Sequence, residues 1–358
     1  MFSSPTVIII GAGSSVDFGL PLGKALWERI VSDCNTLPKH HSEFVANQLT
    51  AKPDEYFTYA SLTNPKAFAL FSLMRDARGN VDHQMAKALA EKLARANVHD
   101  NVDDFIRDHP TLKRPMQALI AGNLFDYLYQ HNQSKSGWKL RRRFFDLKYN
   151  EPHGSVKNVE NWIRHFVGLC RNQLQNITRG EGVFPITVIS FNYDRLIETV
   201  LREFWAQSET PYPNIDDCFD FLYPYGAFSE LRREMTDAGP WLAEQSEKIN
   251  ITGNGPSGSK TIARKSLDDA RQIYMLGFSC LSTNLKWLGL DAKLGKKIFA
   301  QNYRGVDQRL ARELAKINAQ SDTGSVIELV RNGFFEQRGT MLLIDPYGRY
   351  TGDEIDIP

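Results

Sequence analysis

Residues 7 to 21 read Val-Ile-Ile-Ile-Gly-Ala-Gly-Ser-Ser-Val-Asp-Phe-Gly-Leu-Pro, and this stretch decides the predicted fold. The β-branched run from Val7 to Ile10 is typical of a strand buried on both faces of a parallel sheet. In the turn from Gly11 to Gly13, backbone N–H groups and a helix N-terminus can approach a phosphate, because little side-chain bulk is present. The usual dinucleotide fingerprint has a third glycine where this chain has Val16, so the turn alone leaves a nucleotide site and an ordinary turn equally open.

A second apolar run ends in polar residues far along the chain. Residues 184 to 190 read as another buried strand, and Phe191-Asn192-Tyr193-Asp194 follows at its carboxyl end. Ligand groups of open α/β sheets lie at that edge. The alternative is that Asn192 caps the helix predicted to begin near Arg195.

The remaining periodicity predicts the fold class. It is α/β, with a Rossmann-like parallel sheet, helices on both faces and a large helical insertion. Further strands are predicted at 273–276, 297–300 and 341–344, and helices at 80–97, 116–129 and 159–174. We therefore expect one domain over 1–358, with its core from about 1–35 and 180–358 and the insertion at about 36–179.

The two main motifs resemble those of the sirtuin-like family. The stretch from Gly11 to Pro21 resembles, position for position, that family's Gly-Ala-Gly-x-Ser-x-x-x-Gly-Ile-Pro, and Asn192-Tyr193-Asp194 is similar to the Asn-Tyr-Asp of its bacterial members. A weaker match is the Gly277-Phe278-Ser279 turn. The resemblance implies that NAD is bound, as a substrate, by eight residues of these turns: Gly11, Ala12, Gly13, Ser15, Gly19, Pro21, Gly277 and Ser279.

The same resemblance implies three catalytic residues. Asn192 would place the attacking water or the nicotinamide ribose, Asp194 would orient Asn192, and Tyr225 would contact the ribose hydroxyls. Tyr225-Gly226 stands where the family has a catalytic His-Gly pair. A tyrosine with a pKa near ~10 is a poor general base at neutral pH. His165, from the insertion, is the alternative replacement for that histidine.

Two departures separate the chain from the classical deacylating sirtuins. Leu22-Gly23-Lys24 replaces their x-Phe-Arg, and the widely spaced Cys34, Cys170, Cys218 and Cys280 include no Cys-x-x-Cys pair. We therefore expect no zinc site and no other metal. The resemblance favours an NAD glycohydrolase of bacterial antiphage defence. The alternatives are a catalytically inactive NAD- or nucleotide-binding subunit and, further off, an NAD-dependent protein deacylase.

Composition limits the possible partners and location. The 358 residues are 42% apolar and 24% charged, with a net charge of +1, so we expect no general attraction to nucleic acid or to an anionic membrane. No apolar run approaches the ~20 residues of a membrane span, and a cytoplasmic location is expected. The resemblance implies a homo-oligomer and a separate activating protein, such as a HerA-like ATPase, an Argonaute or a sensor.

Overall fold

Six parallel strands form the central sheet of the computed structural model. The structure describes residues 4–34, 64–74, 82–95, 102–132, 137–145, 148–150, 156–158, 162–176, 184–207, 213–250, 258–290, 297–302, 308–317, 319–323 and 326. The strands are β1 (Thr6–Ile10), β2 (Tyr129–Asn132), β3 (Gly137–Leu140), β4 (Lys148–Asn150), β5 (Val156–Asn158), β6 (Ile186–Ser190), β7 (Phe219–Leu222), β8 (Glu234–Met235), β9 (Gln272–Leu276), β10 (Lys297–Asn302) and β11 (Ala319–Thr323). The central sheet has the order β11-β10-β9-β1-β6-β7.

Helices connect most of these strands. They are α1 (Gly23–Cys34), α2 (Pro65–Leu73), α3 (His83–Ala94), α4 (Val102–Asp108), α5 (Lys113–Leu128), α6 (Trp162–Asn176), α7 (Leu196–Ala206), α8 (Ile215–Cys218), α9 (Ala238–Lys248), α10 (Ser259–Asp269), α11 (Ser282–Leu288) and α12 (Gln308–Lys316). Within the described part of the chain, no helix combines the length and the apolar character that crossing a bilayer requires.

Strand β1 shows why the sheet is covered on both faces. All five of its residues are buried, and its side chains alternate between two separate apolar clusters. Ile8 and Ile10 pack in the cluster that contains α1, α5, α6 and α7, whereas Val7 and Ile9 pack in the cluster that contains α10, α11 and α12. The predicted α/β class, a parallel sheet with helices on both faces, is confirmed.

Strand pairing brings the two ends of the chain together. Strand β1 lies between β6 and β9, so that Thr6 pairs with both Ile186 and Gln272, and Ile10 with both Ser190 and Leu276. Parallel strands in register end at one edge, so the turns that follow β1, β6 and β9 are neighbours in space. The candidate site is built at this edge.

The predicted helices are found with shifted ends, as α3, α5 and α6, and the predicted strand at 297–300 is the first part of β10. The predicted strand at 341–344 lies outside the described residues. A short antiparallel sheet, β2-β3-β8, was not expected within and beside the helical region. Its strands are too short for a visible alternation of apolar and polar residues. The domain boundaries stay a prediction.

Candidate functional site

Backbone hydrogen bonds join the three predicted turns into one unit. The Gly11 N–H donates to Leu276 O at 3.0 Å, and the Gly13 N–H donates to Gly277 O at 3.0 Å. The Phe191 N–H donates to Ile10 O at 2.9 Å, which continues the β1–β6 ladder to the residue before Asn192. The sequence places these turns far apart, and the parallel sheet brings them together.

The glycines allow two loops to pack backbone against backbone. A Cβ at Gly277 would lie 2.1 Å from Ser14 N, and a Cβ at Gly13 would lie 2.7 Å from Gly277 Cα. Gly277 also has a φ of +57°, which favours glycine. No larger residue fits at this crossing without moving the backbone.

This packing occupies two amides of the turn that was expected to lie near a phosphate. The N–H groups of Gly11 and Gly13 both donate to protein carbonyl groups. The chain after Gly11 also forms a 3-10 helix over Ala12–Phe18, and α1 begins only at Gly23. The glycines are needed for the contact between the β1 and β9 turns, and a phosphate would have to be bound by other groups.

The other residues expected to bind NAD lie along the same two turns. Gly19, with a φ of +76°, ends the 3-10 helix in the left-handed conformation. Ala12 and Pro21 are half-buried, and Ser279 is exposed. Ser15 is buried and hydrogen-bonds to a protein side chain.

Asn192 has the most closely defined geometry of the predicted catalytic residues. Its side chain is 7% exposed, and its Nδ2 donates to Ser15 Oγ at 2.9 Å and to Gly11 O at 3.3 Å. Because a carbonyl oxygen can only accept, the amide nitrogen must be the atom that faces Gly11. Among the described residues, none donates a hydrogen bond to Asn192 Oδ1. This oxygen is therefore the group that remains for a ligand or a water.

Asp194, rather than Asn192, hydrogen-bonds to the start of the following helix. Its Oδ1 accepts a hydrogen bond from the Leu196 N–H at 2.8 Å. No hydrogen bond between described residues joins Asp194 to Asn192, so the expected direct orientation of Asn192 by Asp194 is absent. Ser15 and Gly11 hold the amide instead. The capping alternative for Asn192 is likewise not what the structure shows.

Asp194 carries the perturbed carboxyl of this region. It is 4% exposed, and burial raises its pKa from 3.8 to about 6, although the hydrogen bond from the Leu196 N–H opposes that shift. A cavity of about 10 Å³, the size of a single water molecule, lies against Ser190, Asn192 and Asp194. A water in this cavity would find polar partners.

Tyr225 lies beside the strand end that carries Asn192. Its ring meets the edge of Phe191 at 5.3 Å and stacks on Tyr193 at 6.4 Å, centroid to centroid. Its hydroxyl donates a hydrogen bond to Asn284 Oδ1. His165 is exposed on α6.

Several supporting residues escaped the sequence analysis. Trp162 of α6 donates from Nε1 to Ser14 O at 3.1 Å, and Gln301 Oε1 accepts from the Gly277 N–H at 2.8 Å. Gln301 is a polar residue near the carboxyl end of a buried strand, which is the same signal that indicated Asn192. No local signal identifies Trp162, because its partner is 148 residues away in the chain.

The described residues contain no group of three or more His, Cys, Asp or Glu side chains that could hold a metal ion. Cys170, Cys218 and Cys280 are buried free thiols, and the side chain of Cys34 lies outside the described part. The expectation that the protein needs no metal stays a prediction.

Comparisons with known proteins add little to this geometry. No protein-family model matches the sequence, and no curated protein matches it. Among solved structures, the chain is similar to a crystal structure of Sir2 in complex with the inhibitor EX-527, 2'-O-acetyl-ADP-ribose and a deacetylated p53 peptide. The identity is 14%, over 92% of this chain and 93% of that chain, with a TM-score of 0.34. So low a TM-score carries no argument about activity, and the fold class rests on the sheet topology itself.

Proposed function

We propose that this chain binds NAD at the carboxyl edge of β1, β6 and β9 and hydrolyses its nicotinamide–ribosyl bond. The observation that carries the proposal is the fixed amide of Asn192. Two protein acceptors hold its nitrogen, and its oxygen has no donor among the described residues. An amide oxygen held in this way is suited to a ligand that donates.

The reaction needs an oriented nucleophile more than covalent help. Nicotinamide leaves with the electron pair of the C–N bond, an oxocarbenium-like centre develops on the ribose, and a water oxygen bonds to that carbon while its proton passes to solvent. A carboxamide oxygen that accepts a hydrogen bond from this water, or from a ribose hydroxyl, fixes the geometry of attack. We assign that role to Asn192 Oδ1.

Tyr225 and Asp194 have supporting roles in this proposal. With its proton donated to Asn284, the Tyr225 hydroxyl accepts from a ribose hydroxyl and does not act as a base. Asp194 holds the loop through Leu196, so its effect on Asn192 is exerted through the backbone. Gly277 and the 3-10 turn after β1 would shape the cofactor pocket.

The resemblance of the two motifs to bacterial sirtuin-like proteins supports a more specific biological role. We propose an antiphage effector of the cytoplasm that depletes NAD when activated, as a homo-oligomer with a separate activating protein. The activating protein would be a HerA-like ATPase, an Argonaute or a sensor. We expect no direct contact with nucleic acid or membrane.

One observation favours a second candidate, an NAD- or nucleotide-binding subunit without catalysis. Tyr225 replaces the histidine of the family's His-Gly pair, and His165 is exposed on α6. A protein deacylase is disfavoured by Leu22-Gly23-Lys24, which replaces x-Phe-Arg.

Release of nicotinamide separates these functions. The purified chain, alone and with each candidate activator, is incubated with NAD, and in a parallel reaction with NAD and an acetyl-lysine peptide. A glycohydrolase releases nicotinamide without the peptide. A binding subunit retains NAD in equilibrium dialysis but releases nothing under any condition. Nicotinamide release that requires the peptide would identify a deacylase and overturn the proposal.

A further inference from the structure

A second cleft, of about 480 Å³, lies where α5 ends and β2 and β3 pair. It shares no lining residue with the candidate NAD site. Its walls include three arginines, one carboxylate and four aromatic side chains: Arg29, Arg141, Arg143, Asp126, Tyr127, Tyr129, His131 and Trp138. Such a volume is typical of small-molecule sites.

The single carboxylate in the wall is already compensated. Asp126 Oδ2 accepts from Arg29 Nη2 at 3.1 Å and from Lys66 Nζ at 2.9 Å. Lys66 Nζ also donates to Asp33 Oδ2 at 2.9 Å, so two cations and two carboxylates form one network, and this network does not neutralise Arg141. The three arginines in the wall of the cleft outnumber its one carboxylate, although the whole chain carries a net charge of only +1.

Arg141 carries a charge that no described carboxylate balances. Its Nη2 donates to Asp126 O at 2.9 Å, and its backbone N–H donates to Leu128 O at 2.9 Å, so it satisfies carbonyl groups at the end of α5. It forms no ion pair with any described carboxylate, and its buried Nε has no acceptor among the described residues. Helix capping explains its position, but it leaves the charge of the guanidinium unpaired.

Arg143 and the aromatic rings complete the cleft. Arg143 Nη2 donates to Tyr127 O at 3.4 Å and lies 3.4 Å from the point that a Cβ would occupy at Gly19. The ring of exposed His131 stands nearly perpendicular to that of half-buried Trp138, with centroids 5.3 Å apart. The cleft thus offers cationic and aromatic surfaces side by side, and it borders the loop that follows β1.

We propose that this cleft binds a phosphate-bearing nucleotide, as a site separate from the NAD site. Guanidinium groups match phosphate oxygens in charge and in bidentate geometry. The aromatic rings of His131 and Trp138 provide a surface for the base. A purely inorganic anion would use only the arginines, and an acidic protein segment would have no need of the aromatic rings. A nucleotide is the ligand that uses both the arginines and the aromatic rings.

Equilibrium binding of ADP and of pyrophosphate tests this assignment. The variants are Arg141→Gln, Trp138→Ala and, as a matched control, Arg114→Gln, which removes an exposed arginine at the end of helix α5 away from the cleft, paired with Glu247 at 2.8 Å. We expect Arg141→Gln to weaken ADP binding at one site by at least tenfold and to weaken pyrophosphate binding as well. Trp138→Ala should weaken ADP but not pyrophosphate, and Arg114→Gln should change neither.

Any binding of ADP at the proposed NAD site is common to all these variants, so the comparison does not depend on the proposed function. ADP binding that is identical in wild type, Arg141→Gln and Arg114→Gln would overturn the proposal. Pyrophosphate that binds as tightly as ADP, with Trp138→Ala without effect, would reduce the cleft to an unspecific anion site and also overturn it. If Arg141→Gln melts before binding can be measured, Arg29→Gln provides the same comparison.

Discussion

Asn192 and Asp194 lie two positions apart in one loop and make contacts in opposite directions. Asn192 reaches back to the turn after β1, whereas Asp194 reaches forward to the first turn of α7. The two side chains therefore have separable effects. Removing the Asn192 side chain should affect turnover, and changing Asp194 should affect how the stability of the fold depends on pH.

Asp194→Asn tests the buried carboxyl. Because burial raises the pKa of Asp194 from 3.8 to about 6, its neutral form is the one that the folded state favours. The stabilisation that comes from the neutral carboxyl is complete below the pKa that Asp194 has in the unfolded chain. It is lost as the pH rises through the higher pKa that Asp194 has in the folded protein. Between pH 4 and pH 7 the free energy of unfolding of the wild type should therefore fall relative to Asp194→Asn, by up to about 3 kcal/mol. Urea titrations at several pH values measure this difference.

Asp194→Ala is the companion variant for that experiment. It removes the acceptor for the Leu196 N–H together with the carboxyl, so it should cost about 1 kcal/mol more than Asp194→Asn at every pH. A stability difference between wild type and Asp194→Asn that stays constant over the whole range would show that the carboxyl does not titrate as described.

At the scale of elements, the close crossing of the β1 and β9 turns holds the site together. Gly277→Ala should destabilise the fold by at least about 2 kcal/mol, because its Cβ would lie 2.1 Å from Ser14 N and its φ is +57°. Gly168→Ala is the matched control, since a Cβ there meets nothing within 4 Å and the residue lies inside α6. It should stabilise the protein by roughly 0.5–1 kcal/mol. Chemical denaturation of both variants measures the contrast, and equal effects would contradict the account of this crossing.

The buried strands of the site could be predicted because their signal is local. Val7 to Ile10 and Ile186 to Ser190 are continuous apolar or β-branched runs, and the polar residues directly after them mark the carboxyl edge of the sheet. Asn192 follows from this reasoning without the structure. The proximity of the three turns also follows from the sequence, once the strands are taken as parallel.

The hydrogen-bond partners could not be predicted, because they depend on packing between distant segments. The occupied amides of Gly11 and Gly13 follow from how closely the β9 turn approaches, which no local pattern encodes. The bond from Trp162 to Ser14 depends on how α6 packs against the sheet. The lack of a hydrogen bond between Asp194 and Asn192 likewise depends on the conformation of the loop, which no local pattern encodes.

At the scale of the whole molecule, the proposed activity requires restraint. An enzyme that empties a cell of NAD is harmful unless its activity is switched on, and assembly with a partner is the switch that we propose. Light scattering should therefore show multimers, and nicotinamide release should rise at least tenfold when the activating protein is added. A monomer that is fully active alone would contradict this part of the proposal.

Nicotinamide release by Asn192→Ala tests the central claim most directly. The matched control is Asn123→Ala, which removes another buried asparagine whose Nδ2 donates to a backbone carbonyl, Leu119 O at 2.9 Å, but which lies on α5. Loss of buried hydrogen bonds should lower the stability of both variants by about 1–3 kcal/mol. Thermal melts on the same preparations establish that both are folded at the assay temperature.

If Asn192 Oδ1 positions the water or the ribose, Asn192→Ala should lower turnover by roughly a hundredfold or more, which is about 3 kcal/mol of transition-state stabilisation. Asn123→Ala should keep turnover near the wild-type value. If Asn192 only joins the β1 and β6 turns, the two folded variants should release nicotinamide at similar rates. Near-normal NAD cleavage by folded Asn192→Ala would contradict the proposed catalytic site.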